Sequence, residues 1–156
     1  MRHAPAPLSA TALRVVPDTN VWLDLLLFGN PDCQGLAQAL CEGRALALVN
    51  AACAREWRYV LHQPHLALDA AQRAELMRMY ALHGQVCEAA PDVAPPVLPR
   101  CADRDDQKFL QLAACSQADL LLSKDRALLK LNRKLRDAGW FAVRTPAQWD
   151  LAAGQT

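Results

Sequence analysis

The sequence predicts an α/β protein, a three-layer α/β/α arrangement around a short, mainly parallel sheet of about five strands. Three observations predict it. Short apolar runs alternate with longer helical patterns along nearly the whole chain, the pattern of strands joined by helical crossovers. The runs are apolar on successive residues rather than on every second one, as strands covered on both faces require. The length, 156 residues, suits one domain with a single sizeable core.

The elements follow in order. Residues 1–12, with Pro5 and Pro7, read as a flexible N-terminal arm, and residues 13–156 as the single domain. Residues 13–16 (LRVV) form a strand that ends at Pro17 and Asp18. Asn20 caps a helix running to about Phe28, where Gly29-Asn30-Pro31 stops it. Asp32 opens a second helix to about Glu42, stopped by Gly43. Residues 45–49 (ALALV) have strand length; Asn50 caps a helix over 51–62, which Pro64 ends. Asp69 caps a helix over 70–83 with Gly84 at its end, and residues 86–89 form a weak strand. Residues 91–99 are a proline-rich connector. Residues 103–115 are helical, 119–122 (DLLL) a strand, 126–137 helical and 140–143 the last strand, with a short helix from Pro146.

Composition excludes several classes. With 53% hydrophobic and 21% charged residues the chain is neither disordered nor of low complexity. Seventeen basic against sixteen acidic residues argue against a strongly basic nucleic-acid binder of the usual kind. No apolar run reaches signal-peptide length or the ~18–20 residues that span a bilayer, so a cytoplasmic protein with no membrane partner is expected. The six cysteines (33, 41, 53, 87, 101 and 115) include no Cys-x-x-Cys, and Cys33, Cys53 and Cys115 sit within helical patterns beside Ala and Leu, which favours free buried thiols over disulfides. His62 and His65 lack a third ligand nearby and read as a surface pair. Six scattered glycines form neither a phosphate loop nor a dinucleotide fingerprint.

The carboxylates are more informative. Ligands of a parallel α/β sheet bind beyond the C-terminal ends of its strands, and Asp18 and Asp125 both fall there, with Thr19, Asn20 and Ser123 as polar neighbours. Glu56 is set among Ala52, Cys53 and Val60 on one helix face. It either reaches solvent at the edge of that stripe or needs a cation or hydrogen bonds, since unpaired burial costs several kcal/mol. Asp103, Asp105 and Asp106 open the next helix; one of them should cap it, while Asp106 shares a face with Phe109, Leu110 and Ala113, and Asp103 can share that side. Four segments distant in sequence thus each supply a carboxylate. Carboxylates gathered within a few ångströms repel one another unless a cation relieves them, and an all-oxygen set suits Mg²⁺ or Mn²⁺ rather than zinc.

These residues resemble the PIN domain, a metal-dependent nuclease fold found in many bacterial toxin–antitoxin pairs. The matching pieces are VVPDTNVWL around Asp18, AREWRYVL around Glu56, CADRDDQKFLQLA around Asp106 and ADLLLSKDRALLKL around Asp125. The likeness covers about residues 13–145, and its third and fourth segments are most similar to a subgroup of toxin components. It implies a catalytic acid set of Asp18, Glu56, Asp106 and Asp125, with Asp103 as a further metal ligand. Asn20 and Ser123 are the implied site-orienting polar residues, and one or two ions of Mg²⁺ or Mn²⁺ the implied cofactor. The chain departs from the family pattern in its longer N-terminal arm, in Arg104 for a frequent proline and in Lys124 for a frequent glycine.

The implied reaction is hydrolysis of RNA phosphodiester bonds. Lys124, Arg126 and Lys130, starting beside Asp125, are the expected phosphate contacts; residues 133–136 read equally as a solvated helix face. Trp22 and Trp57 fit the core better than base stacking. The implied partners are the RNA substrate and a cognate antitoxin, and a homodimer is compatible with the fold. Two other readings stand beside this one. An inactive PIN-fold binding module is disfavoured by retention of all four acids. A receiver-like signalling domain wants paired acids after the first strand, where Asp18 stands alone. Assigning the acids to a metal also changes the charge balance, because a near-neutral total then conceals a basic remainder.

Overall fold

The computed structural model describes residues 4–90, 92 and 94–150. Its centre is a five-stranded sheet in the order β3-β2-β1-β4-β5, every neighbouring pair parallel. The strands are β1 (Leu13–Pro17), β2 (Ala45–Val49), β3 (Gly84–Val86), β4 (Leu120–Leu122) and β5 (Ala142–Arg144). The helices are α1 (Thr19–Leu23), α2 (Gln34–Cys41), α3 (Ala51–Leu61), α4 (Ala70–His83), α5 (Gln107–Cys115), α6 (Arg126–Leu129) and α7 (Asn132–Asp137).

Successive strand residues feed two cores, which is why the strands read as continuous apolar runs. Val15, Ala47, Val49, Leu120 and Leu122 pack with Trp22 of α1, Leu36 and Leu40 of α2, Trp57 and Leu61 of α3, and Leu76 and Tyr80 of α4. Val16, Leu48, Leu121 and Val143 pack on the other side with Phe109, Leu110 and Ala113 of α5, Leu128 of α6 and Leu135 of α7. Trp22 and Trp57 are core residues, and Tyr80 lies against both, with ring centroids 4.8 and 5.2 Å away. All six cysteines are free, Cys33, Cys53 and Cys101 being buried. Among the described residues no helix is long and apolar enough to cross a membrane.

Several boundaries differ from the sequence expectation, each for a physical reason. Asp18 rather than Asn20 caps α1: its extended backbone turns a carboxylate oxygen onto the Val21 N–H at 2.9 Å, while Asn20 lies inside the helix. The helix expected to reach Phe28 gives way to a π-helical turn over Asp24–Phe28, closed by Gly29 at φ 57°. The second helix opens as a 3-10 turn, Pro31–Cys33, capped by Asn30 rather than by Asp32. The weak strand begins at Gly84, two residues early. A Cβ there would come within 2.9 Å of the Tyr80 carbonyl and 3.0 Å of Val49, so glycine lets the end of α4 run straight into β3.

The helix expected over 103–115 begins as a 3-10 turn, Arg104–Asp106. The one expected over 126–137 divides into α6 and α7, and Asn132, at the start of α7, accepts the Val143 N–H at 2.8 Å. The last strand lies at Ala142–Arg144, and from Pro146 a single 3-10 turn, Pro146–Gln148, is formed; the remainder of that expected helix lies outside the described residues. Residues 4–12 form neither helix nor strand, but Ala6 and Ser9 donate to the carbonyls of Cys41 and Gly43, each at 2.8 Å.

Candidate active site

The strand order places a reversal point between β1 and β4, where the chain leaves to opposite flanks of the sheet. In open α/β sheets that crevice, at the carboxyl ends of the strands, is where ligands bind. Asp18 follows β1 directly, and its N–H continues the ladder by donating to Leu122 of β4 at 3.0 Å. One hydrogen bond therefore fixes Asp18 beside the turn after β4, which holds Ser123, Lys124 and Asp125.

Ser123 is fully buried and lies between two acidic residues. Its Oγ accepts the Asp125 N–H at 2.9 Å, and its hydroxyl helps to hold the Asp18 pKa down. Asp125 in turn caps α6 by accepting the Ala127 N–H at 2.9 Å. Asp18 is only 4% exposed. Burial raises its pKa from 3.8 to about 6, against the lowering effect of the Ser123 and Val21 hydrogen bonds and with help from the charges of Asp125 and Glu56.

The start of α5 brings the other acids. Asp103 spends one oxygen on the N–H of Asp105 at 3.0 Å, the capping role expected for one residue of this run. Asp106 is half-buried and hydrogen-bonded to Asp125. Burial, the proton it shares with Asp125 and the charges of Asp103, Asp18 and Asp125 raise it to about 7, whereas Asp125 is lowered by accepting that proton and the Ala127 N–H. Two carboxylates that share one proton mark a place where positive charge is wanted.

Glu56 neither reaches freely into solvent nor stands unpaired. The Thr19 hydroxyl donates to one carboxylate oxygen, and the Lys108 ammonium lies 2.7 Å from the other. α3 supplies the glutamate, α1 the hydroxyl and α5 the lysine.

Asp18, Thr19, Asn20, Glu56, Asp103, Asp105, Asp106 and Asp125 line one open pocket of about 230 Å³, with Val60 and Phe109 in its wall. Ligand oxygens of Asp103, Asp106 and Asp125 all lie within 4.8 Å of one another. This donor set fits a hard divalent cation: it is all carboxylate, its members are already crowded enough to retain a proton, and no cysteine or histidine lines the pocket. Asp18 and Glu56 face the same pocket from outside that triad, and Ser123 supports it from beneath.

The basic residues are arranged less simply. Lys124 is paired with Asp24, a buried acid of the π-helical turn, and both line a neighbouring pocket of about 440 Å³ with Asn20, Leu23, Phe28 and Asp125. Arg126 and Lys130 are exposed and line neither pocket. Sequence reasoning named Thr19 only as a polar neighbour of the strand-end acids and left Asp24 and Lys108 outside the site. Asp24 carried a signal, a lone acid inside WLDLLLF; Lys108 carried none, because its partner comes from a distant helix.

A sequence model of the PIN domain matches residues 14–127. No curated protein matches the chain. With its parallel sheet, its acid-lined pocket at the sheet's reversal point and a family match over most of its length, the chain belongs to the PIN domain family, whose members are generally nucleases that bind divalent metals.

Proposed function

We propose that this protein is a metal-dependent endoribonuclease, the toxin component of a bacterial toxin–antitoxin pair acting in the cytoplasm. The observation that carries the reading is the gathering of Asp18, Asp103, Asp106 and Asp125 from three separate segments into one pocket at the reversal point of the sheet. The toxin assignment rests on the similarity of the segments around Asp106 and Asp125 to toxin components.

Asp103, Asp106 and Asp125 would hold Mg²⁺ or Mn²⁺, with Asp18 lining the same pocket. A bound divalent cation supplies Lewis-acid activation of water and neutralises charge on the scissile phosphate. Ser123 keeps Asp18 and Asp125 in register, and Asn20, exposed on the pocket rim, orients the phosphate group. Glu56, fixed by Thr19 and Lys108, orients the attacking water. Lys124, Arg126 and Lys130 add positive charge for the polyanionic strand. A cognate antitoxin silences the site by inserting a basic side chain among these acids.

The test is cleavage of several RNAs with Mn²⁺, Mg²⁺ or EDTA, comparing wild type with Asp18→Asn and Asp106→Asn. Cleavage should require the metal and fall at least a hundredfold in either variant. Activity that survives EDTA, or survives both substitutions, overturns the nuclease reading. Growth arrest on expression, relieved by the product of a small neighbouring reading frame, tests the toxin reading separately.

A further inference from the structure

We propose that the pocket beside the acid site, walled by Phe28, Leu23, Asp24 and Lys124, receives an unstacked base of the RNA strand flanking the scissile phosphate. The proposal rests on the nuclease reading and deepens it by assigning a nucleobase subsite.

Four observations carry it. The pocket adjoins the acid pocket, because Asn20 and Asp125 line both. A strand whose phosphate lies among the acids therefore passes this second pocket with a nearby base. Phe28 lines it with 57% of its surface exposed, a large apolar ring offered to solvent at the mouth of a site rather than packed into either core. Phe28 is held there by the π-helical turn it ends and by left-handed Gly29; π-helical turns of this kind occur disproportionately at functional sites. Lys124 is held by Asp24 in the wall of this pocket, next in sequence to Asp125, which lines both pockets, so its ammonium is available to the backbone phosphate of a base bound here.

The pocket's size and chemistry agree with a base. About 440 Å³ falls in the ~300–1,000 Å³ range of small-ligand sites. Its wall combines an aromatic face and Leu23 with the carboxylate of Asp24 and the amide of Asn20, which suits a flat heteroaromatic ring carrying donors and acceptors on its edge. Single-stranded RNA is read in this way, by stacking bases on aromatic side chains while basic groups track the backbone.

The experiment uses single-stranded RNA carrying 2-aminopurine at successive positions around the cleavage site. It is bound to Asp18→Asn protein in Mg²⁺ and followed by fluorescence quenching and anisotropy. One position should be quenched more than its neighbours. Adding Phe28→Ala should abolish that quenching and weaken binding roughly fivefold to a hundredfold, while Phe28→Trp should preserve both. Phe28 is exposed, so matched melting temperatures are expected and verify folding.

Quenching indifferent to Phe28→Ala, or an equal loss of affinity for RNA that is abasic at the quenched position, overturns the subsite; the exposed ring is then left to a protein partner. The two readings fail separately. Phe28-dependent quenching without cleavage by wild type in Mn²⁺ keeps the subsite and removes the nuclease. Cleavage without Phe28-dependent quenching does the reverse, and absence of both removes both.

Discussion

The Lys108 ammonium sits 2.7 Å from the Glu56 carboxylate, so one acid of the pocket already carries its own cation. Both side chains are about one quarter exposed, and a pair of this kind contributes about 1 kcal/mol at most. Its larger effect is on the pocket's charge. Lys108→Met should tighten Mn²⁺ binding several-fold, read by titration calorimetry, with little change in melting temperature. Unchanged or weaker Mn²⁺ affinity would show that Lys108 does not oppose the metal.

The metal-free protein should be more stable in mild acid than at pH 8. Asp18 and Asp106 are raised from 3.8 to about 6 and about 7. Between pH 4 and 7 the native state therefore binds protons that the unfolded chain does not, and stability falls as pH rises through that window. Asp125 is shifted the other way, below 3.8, and acts outside the window. Burial of the Asp18 charge alone is worth roughly 2–3 kcal/mol at pH 8. In EDTA the Tm should drop by several degrees from pH 5 to pH 8, and Mn²⁺ at pH 8 should restore it. A Tm that rises with pH in EDTA would refute the assignment.

Asp18→Asn and Asp18→Ala should part company. Asparagine still caps α1 through Val21, whereas alanine loses the cap, worth about 1 kcal/mol. In EDTA at pH 8, Asp18→Asn should equal or exceed wild type in Tm, and Asp18→Ala should fall below Asp18→Asn. Both should lose Mn²⁺-dependent cleavage. Equal melting of the two variants would deny the cap.

Ser123→Ala leaves the part-buried Asp125 N–H without its acceptor and takes a hydroxyl from beside Asp18. Stranding a buried polar group costs about 1–3 kcal/mol. Urea denaturation should report a loss of that size. The fall in stability with rising pH should also extend to higher pH, because the hydroxyl is one of the groups holding Asp18 down. A loss of stability without that movement would leave Ser123 a packing residue only.

Much of this was legible because it depends on short-range sequence. The runs that became β1, β2 and β4 are bounded by Pro17-Asp18, Asn50 and Ser123, residues that end strands or start helices, and Asp18 and Asp125 are placed by those boundaries alone. β3 was misplaced because Gln85 and Val86 are exposed on the sheet edge and carry no apolar pattern; pairing with β2 alone makes them a strand. The cap of α1 went to Asp18 because the strand end sets its extended backbone, a tertiary fact that weighs nothing in a comparison of Asp with Asn. The Glu56–Lys108 and Asp24–Lys124 pairs join elements that meet only after the sheet has formed, so no local spacing announces them.

The union of β1 with β4 has a consequence for when the pocket can exist. Contacts across it, such as the Arg14 N–H on Asp119, close a loop of 105 residues, and pairings of such long sequence separation form late and slowly. During synthesis the Asp18 segment emerges first and must wait for Ser123 and Asp125 to leave the ribosome before it meets either. A growing or prematurely ended chain therefore holds a lone strand-end acid and no pocket, so whatever chemistry the site performs must wait until Asp125 has left the ribosome.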